Sequence, residues 1–227
     1  MERTGRRRRI AAWVLGPVGL VLMVGAVALV RAGYTTATIS SQAMEPTYSP
    51  GQRVLFERID GDEVRRGDVV LIAAPERYQG GPVLKRVIGT GGDRVAERSG
   101  GPVTVNGKEL SEPYVKNGDP SGGAPAFDIT VPRGRLFLIG DYRADSFDSR
   151  WFLSDESGTL PASGVRARVL EDRTGPLVLG LAALLGFALA ITGLVLGILA
   201  RIARHRERYP AAPSTAPIAW GHVPPGS

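Results

Sequence analysis

Two long apolar runs frame the chain, and a segment of mixed polarity lies between them. No charged residue occurs from Ile10 to Val30, and Leu177 to Ala200 repeats this pattern with many Leu, Ala and Gly residues. Each run is long enough for a bilayer-crossing helix, which takes about 20 residues. Because only a helix or a closed barrel satisfies its backbone in lipid, the pattern predicts transmembrane helices at 10–31 and 176–200.

Arginine clusters flank both apolar runs. They are Arg6, Arg7, Arg8 and Arg9 before the first run, and Arg201, Arg204, Arg206 and Arg208 after the second. The positive-inside rule predicts a two-pass protein of the plasma membrane, with both termini in the cytoplasm. Residues 1–9 would be a basic N-terminus, 34–174 an extracytoplasmic domain, and 201–227 a basic, Pro-rich tail that is disordered beyond Tyr209.

The net charge of +6 therefore reflects topology. The sequence contains no basic helix with interleaved aromatic residues, so it gives no indication of binding to nucleic acid. A cleavable signal peptide is the competing interpretation of the N-terminus. However, the apolar run exceeds the typical core of about 7–15 residues, and Arg31 follows it without a clear small-x-small cleavage site. We therefore favour an uncleaved membrane anchor.

Short runs of Val, Ile, Leu and Phe recur between the two apolar segments, separated by Gly, Pro and Asp. This alternation predicts a mostly β domain. Asn106-Gly107, directly after one such run, predicts a tight hairpin. The predicted strands are Arg53–Glu57, Asp68–Ala73, Val83–Ile88, Val103–Val105, Ile129–Val131, Leu136–Ile139 and Val165–Leu170.

The residue types that are missing limit the chemistry of this domain. The chain has no cysteine, and its histidines, His205 and His222, fall on the predicted cytoplasmic side. A cysteine nucleophile, a Ser-His-Asp triad and a histidine-based zinc site are therefore excluded in the outer domain. We expect neither a metal nor a cofactor. A general base must be a carboxylate, a tyrosine or a lysine.

Lysine is scarce, and only Lys85, Lys108 and Lys116 occur. A buried lysine can lose its proton near neutral pH, whereas arginine cannot. In a strand, Val83, Lys85 and Val87 share one apolar face, which would lower the pKa of the lysine. The alternative for Lys85 is an edge-strand lysine that discourages aggregation. Lys108 and Lys116 lie beside turn residues and are expected in solvent.

Three segments carry a resemblance to a known family. Ser40–Thr47 reads Ser-Ser-Gln-Ala-Met-Glu-Pro-Thr, Lys85–Asp93 fits Lys-Arg-x-x-Gly-x-x-Gly-Asp, and Gly140–Arg150 reads Gly-Asp-Tyr-Arg-Ala-Asp-Ser-Phe-Asp-Ser-Arg. Together, and in this order, they resemble the active site of type I signal peptidases. Taken alone, the last segment could be a cation loop, but it lacks the ligand spacing and central Gly of an EF-hand.

The resemblance implies a fold, a reaction and partners. The fold would be a signal-peptidase/LexA-like β catalytic domain between two transmembrane helices. The reaction would be that of a membrane-bound serine endopeptidase, which removes signal peptides from exported preproteins after small-x-small sites by a Ser/Lys dyad. Signal peptides and the lipid bilayer would be partners, and the secretion translocon is a further candidate.

The resemblance also implies a role for each matched residue. Lys85 would be the general base, and Ser146 would orient it through a hydrogen bond. Ser41 would join the backbone N–H of residue 43 in an oxyanion hole, and Met44 would pack by the catalytic floor. The supporting residues would be Arg86, Asp141, Asp148 and Arg150.

Position 43 departs from the family pattern, because Ala43 stands where the family has its nucleophilic serine. A methyl group cannot be acylated, so the chain is predicted to be catalytically dead. Ser41 and Ser40 are poor substitutes, since one is the expected oxyanion donor and the other would point to the opposite face. An engineered Ser-to-Ala change that traps substrate and a natural inactive paralogue both explain the alanine.

Two further interpretations stay open. A non-catalytic relative would bind signal peptides or pilin precursors without cutting them. A self-cleaving Ser/Lys protease of the LexA-repressor type shares the dyad, but it would carry a DNA-binding helix-turn-helix where this chain has an apolar run.

Overall fold

The computed structural model describes residues 2–78 and 81–208, and side-chain surroundings for 10–78 and 81–205. The tail predicted to be disordered beyond Tyr209, with His222, lies outside the described residues. The chain divides into two compact units. One holds the larger parts of two long helices, and the other is Val27–Gly180.

Helix α1 spans Glu2–Gly33 and helix α2 spans Thr174–Arg208. Within them, Ile10–Gly33 and Thr174–His205 are long and apolar enough to cross a membrane, with mean hydropathies of 2.3 and 2.5. Only 11% of an 18-residue apolar stretch within each segment is buried, whereas a core helix of a soluble protein is mostly buried. Both predicted helices are present, and both continue beyond the apolar runs.

Within the helical unit, α1 and α2 contact each other through glycines. A Cβ atom added to Gly186 would lie 2.6 Å from the backbone N of Met23. One added to Gly193 would lie 2.4 Å from the backbone N of Gly16. No side chain fits at such distances, so the two backbones touch, as small residues allow in membrane helix pairs.

The second unit is built on two antiparallel sheets. The larger sheet has the strand order β1-β2-β11-β3-β4-β9-β10, and the smaller has the order β7-β6-β5-β8. The strands of the larger sheet are β1 Tyr34–Thr38, β2 Arg53–Glu57, β3 Val69–Ile72, β4 Val83–Thr90, β9 Arg135–Ile139, β10 Leu160–Pro161 and β11 Val165–Val169. Those of the smaller sheet are β5 Arg94–Glu97, β6 Thr104–Val105, β7 Lys108–Glu109 and β8 Phe127–Thr130.

The mostly β prediction is confirmed, and each of the seven predicted strands overlaps an observed one. The predicted hairpin joins β6 to β7, where Asn106 and Gly107 have φ values of 54° and 78°. A two-residue hairpin turn of type I′ requires positive φ at both central residues. The sequence prediction lacked β1, β5, β7 and β10.

The strands that are next to the two helices in sequence both pair with β2. Strand β1 starts directly after α1, and its first residue, Tyr34, pairs with Glu57 of β2. Arg168 of β11, near the start of α2, pairs with the same glutamate. The two strands therefore flank Glu57 at the same level of the sheet, with β2 between them.

Strand β4 lies between the hydrophobic clusters of the β domain. Val87 belongs to a cluster with Val70, and Val83 packs against it from the strand's start. Ile88, on the opposite face, belongs to a second cluster. Since Lys85 is paired with Val70 in the neighbouring strand β3, this lysine lies on the apolar face predicted from its sequence neighbours.

Candidate active site

Lys85 is buried in the middle of β4, with 4% of its surface exposed. Its Nζ donates a hydrogen bond to Ser146 Oγ at 2.7 Å. Burial lowers the pKa of Lys85 below its ordinary value, and the nearby Asp148 carboxylate opposes that shift in part. A lysine in this setting can present a neutral amine, which is able to accept a proton from a hydroxyl.

Gly140 lies between the Lys85–Ser146 pair and the turn 42–47, which contains residue 43. A Cβ atom added to Gly140 would lie 2.2 Å from Ser146 Oγ and 2.6 Å from the carbonyl oxygen of Ala43. Real Cβ atoms essentially never show such contacts. The hydroxyl of Ser146 and the backbone of Ala43 therefore both lie so close to Gly140 that no side chain fits there.

The turn itself is fixed by backbone hydrogen bonds. The N–H of Glu45 donates to the carbonyl of Gln42 at 2.9 Å, and the N–H of Tyr142 donates to the carbonyl of Ala43 at 3.0 Å. Ala43 is 8% exposed and Met44 is 1% exposed. The peptide planes on both sides of Ala43 are thus held, one from within the turn and one from the Gly140 segment.

Two hydrogen-bond donors at the turn are without a partner among the described residues. Ser41 is exposed. Among the described residues, neither its hydroxyl nor the N–H of Ala43 takes part in a hydrogen bond. They lie two residues apart in the segment that the resemblance marks as the oxyanion hole.

A buried ion pair fastens the same turn to β4. Arg86 donates to both oxygens of Asp141, at 2.8 and 2.6 Å. Thr47, at the far end of the turn, donates its hydroxyl to the same carboxylate at 2.5 Å. Asp141 is fully buried. Such bidentate, charge-assisted contacts fix geometry as well as adding stability.

A second buried pair holds the segment that contains Ser146. Asp148 accepts two hydrogen bonds from Arg150, at 2.8 and 2.9 Å, and one from the N–H of Gly140 at 3.1 Å. Arg143, which is 1% exposed, donates to the carbonyl of Gly140 at 3.1 Å. Both polar groups of the Gly140 backbone are therefore used. The carboxylates of Asp141 and Asp148 are each paired with an arginine.

Sequence reasoning did not assign functions to several residues of this region. Arg143 stands inside the quoted Gly140–Arg150 motif and could have been found there. Lys116 gave no signal beyond its predicted exposure to solvent, and in the structure its side chain is 28% exposed. Its Nζ lies 2.6 Å from Glu45 Oε2 and 3.8 Å from the ring centre of Tyr142. Lys108 is exposed, as predicted.

All nine residues to which the resemblance gave a role lie in one region of the β domain, along the turn, β4 and the Gly140–Arg150 segment. They are Ser41, Ala43, Met44, Lys85, Arg86, Asp141, Ser146, Asp148 and Arg150. Within the ranges that the structure describes, no group of three or more His, Cys, Asp or Glu residues could hold a metal ion. The chemistry available is that of a buried lysine, hydroxyls and backbone amides.

Comparisons with known proteins point in one direction. Residues 10–171, more than half of the chain, match the family described as "Signal peptidase, peptidase S26". Signal peptidase I V of Bacillus subtilis is 30% identical over 153 residues, covering 62% of this chain and 88% of the relative. Signal peptidase I of Bacillus licheniformis is 29% identical over 159 residues, covering 66% and 82%.

A solved structure is also similar to part of the chain. The crystal structure of a signal peptidase I from Enterococcus faecalis V583 has a TM-score of 0.38 and 28% sequence identity. The likeness covers 48% of this chain and 97% of that one.

Proposed function

The chain belongs to the peptidase S26 family of signal peptidases, and we propose that its site binds the signal peptides of exported preproteins without cutting them. The observation that carries this proposal is the buried Lys85–Ser146 pair beside a turn whose residue 43 has no side-chain oxygen. The substrates would have small residues at the −1 and −3 positions, and they would bind as an extended strand.

Lys85 is the general base in this proposal. With a serine at position 43, the neutral amine of Lys85 would take the proton of its hydroxyl while that oxygen attacks the scissile carbonyl carbon. The lysine would then pass the proton to the leaving amine, and water would release the acyl group. Ser146 holds the amine in place for both transfers. Ala43 supplies no oxygen, so the first bond cannot form.

The oxyanion hole consists of Ser41 Oγ and the N–H of residue 43. Their lack of an acceptor among the described residues supports this assignment, because such donors must be free for the developing negative charge. Each donor typically contributes about 10²–10³ in rate. In the chain as it stands, they would bind the substrate carbonyl without a reaction.

The two buried ion pairs keep this arrangement rigid. The Arg86–Asp141 pair holds the turn through Thr47, and the Arg150–Asp148 pair holds Gly140 and the Ser146 segment. Rigid support matters because reacting groups have to be placed within about 0.5 Å of the productive geometry.

The two apolar runs and the arginines next to them support a membrane arrangement. We propose a two-pass protein of the plasma membrane, with both termini cytoplasmic and the β domain outside, because arginines cluster on the chain-terminal side of both apolar runs. In this arrangement, the site would lie on the side of the membrane to which preproteins are exported.

Restoring the hydroxyl tests the proposal. An Ala43→Ser chain should cleave a preprotein with an Ala-x-Ala site, and adding Lys85→Met or Ser146→Ala should remove or strongly reduce that activity. Cleavage by the Ala43 chain that survives Lys85→Met would overturn the assignment of the dyad. The genomic codon at position 43 would separate an engineered change from a natural inactive paralogue.

A further inference from the structure

Lys116 connects three segments around residue 43. Its Nζ lies 2.6 Å from Glu45 Oε2, and the same ammonium lies 3.8 Å above the ring of Tyr142. Its backbone N–H donates to the carbonyl of Asp141 at 3.1 Å. A single side chain thus joins the turn, the Gly140 segment and the 3₁₀ turn Lys116–Gly118.

The two residues that Lys116 joins are the ones that orient residue 43. Glu45 donates its backbone N–H to Gln42, which fixes the peptide plane before residue 43. Tyr142 donates its backbone N–H to Ala43, which fixes the plane after it. The first of these planes contains the N–H of residue 43, the proposed oxyanion donor.

We propose that the Glu45–Lys116–Tyr142 bridge is a positioning device that holds residue 43 in its catalytic orientation. This inference rests on the proposed function, since it gives the bridge a role at the same site. Lys116 acts through Glu45 and Tyr142 and touches neither the substrate nor the reacting atoms. The bridge is held by an ion pair and a cation–π contact, with Lys116 and Glu45 side chains 28% and 22% exposed.

Kinetics in the Ala43→Ser chain give the first test. Lys116→Met keeps the aliphatic stem and removes the ammonium. We expect kcat to fall about 10- to 100-fold with KM changed less than about twofold, because displacing a catalytic group by about 1 Å costs that much. Lys116→Arg should recover most of the loss, since arginine can pair with Glu45 and stack on Tyr142.

Two further variants complete this measurement. Lys108→Met is the control, because it makes the same change at an exposed lysine of the smaller sheet and should leave kcat unchanged. Tyr142→Leu removes the ring under the ammonium and should lower kcat, as Lys116→Met does. An unchanged kcat in Lys116→Met, or an equal loss in Lys108→Met, would overturn the inference.

Hydrogen exchange in the Ala43 chain gives a second test that needs no activity. Lys116→Met should speed exchange of the Glu45 and Tyr142 amides about tenfold, because losing the bridge frees the turn to open. Lys108→Met should not affect these amides. Unchanged exchange would show that the bridge does not hold the turn. If Ala43→Ser does not cleave but the amides exchange faster in Lys116→Met, the proposed function is wrong, whereas the bridge does hold the turn.

Discussion

Gly140→Ala adds only one methyl group, but we expect it to damage the site severely. The new Cβ would lie 2.2 Å from Ser146 Oγ and 2.6 Å from the Ala43 carbonyl oxygen, both well inside the 3.4–4 Å of ordinary van der Waals contact. Gly140 does not have a positive φ, so the cost is steric and does not come from the backbone conformation. Over-packing of this kind typically costs about 1–3 kcal/mol.

A loss of catalytic rate is expected in addition to the loss of stability. Relief of the clash has to move either the hydroxyl of Ser146 away from Lys85 or the turn away from the lysine. A shift of about 1 Å at a catalytic group lowers rates about 100-fold. We therefore expect Gly140→Ala, made in the Ala43→Ser chain, to lose about two orders of magnitude in kcat.

Thermal unfolding in detergent and preprotein cleavage, measured on the same samples, test both parts. Gly180→Ala is the control, because a Cβ there meets nothing within 4 Å and alanine favours the helix. If Gly140→Ala matches this control in both melting temperature and kcat, then Gly140 is not the contact that joins Ser146 to residue 43.

Other substitutions test separate parts of the structure. Burial lowers the pKa of Lys85, so the unfolded chain binds more protons and stability should rise with pH up to the ordinary lysine pKa of about 10.4. Lys85→Met should therefore raise the melting temperature near neutral pH and show a smaller gain in strong alkali; an equal gain at every pH would contradict this. Arg150→Met leaves the buried Asp148 carboxylate without its arginine and should cost about 3–5 kcal/mol in unfolding free energy, whereas a loss below about 1 kcal/mol would argue against the pair. Gly186→Leu places a side chain against the backbone of Met23, where even a Cβ would lie 2.6 Å from its N, and should lower the melting temperature in detergent; an unchanged value would show that the helices do not pack there.

The strands that could be predicted from the sequence are those that their own residue pattern is sufficient to identify. Leu136–Ile139 is apolar on both faces, because this strand is covered on both sides, and Val83–Ile88 carries apolar residues on both faces beside Lys85 and Arg86. The missed strands depend on context. Tyr34–Thr38 is a strand because it pairs with β2 at the end of α1, and Lys108–Glu109 and Leu160–Pro161 are too short to form a pattern.

The residues of the candidate site also divide into those that could be predicted from the sequence and those that could not. Lys85 could be selected from its apolar neighbours, and the motif residues from their resemblance to a family. Lys116 could not, because its partner Glu45 is 71 residues away in the sequence and only the folded chain brings them together. The contacts around Gly140 were equally hidden, since they depend on the folded positions of Ser146 and Ala43.

The intact mass of one preprotein, incubated with each of two chains, tests whether the site lacks only a single hydroxyl. The Ala43 chain should bind an Ala-x-Ala preprotein and leave its mass unchanged, whereas the Ala43→Ser chain should release the mature product. Cleavage by the Ala43 chain, or none by a folded Ala43→Ser chain that binds the same preprotein, would refute this role of residue 43.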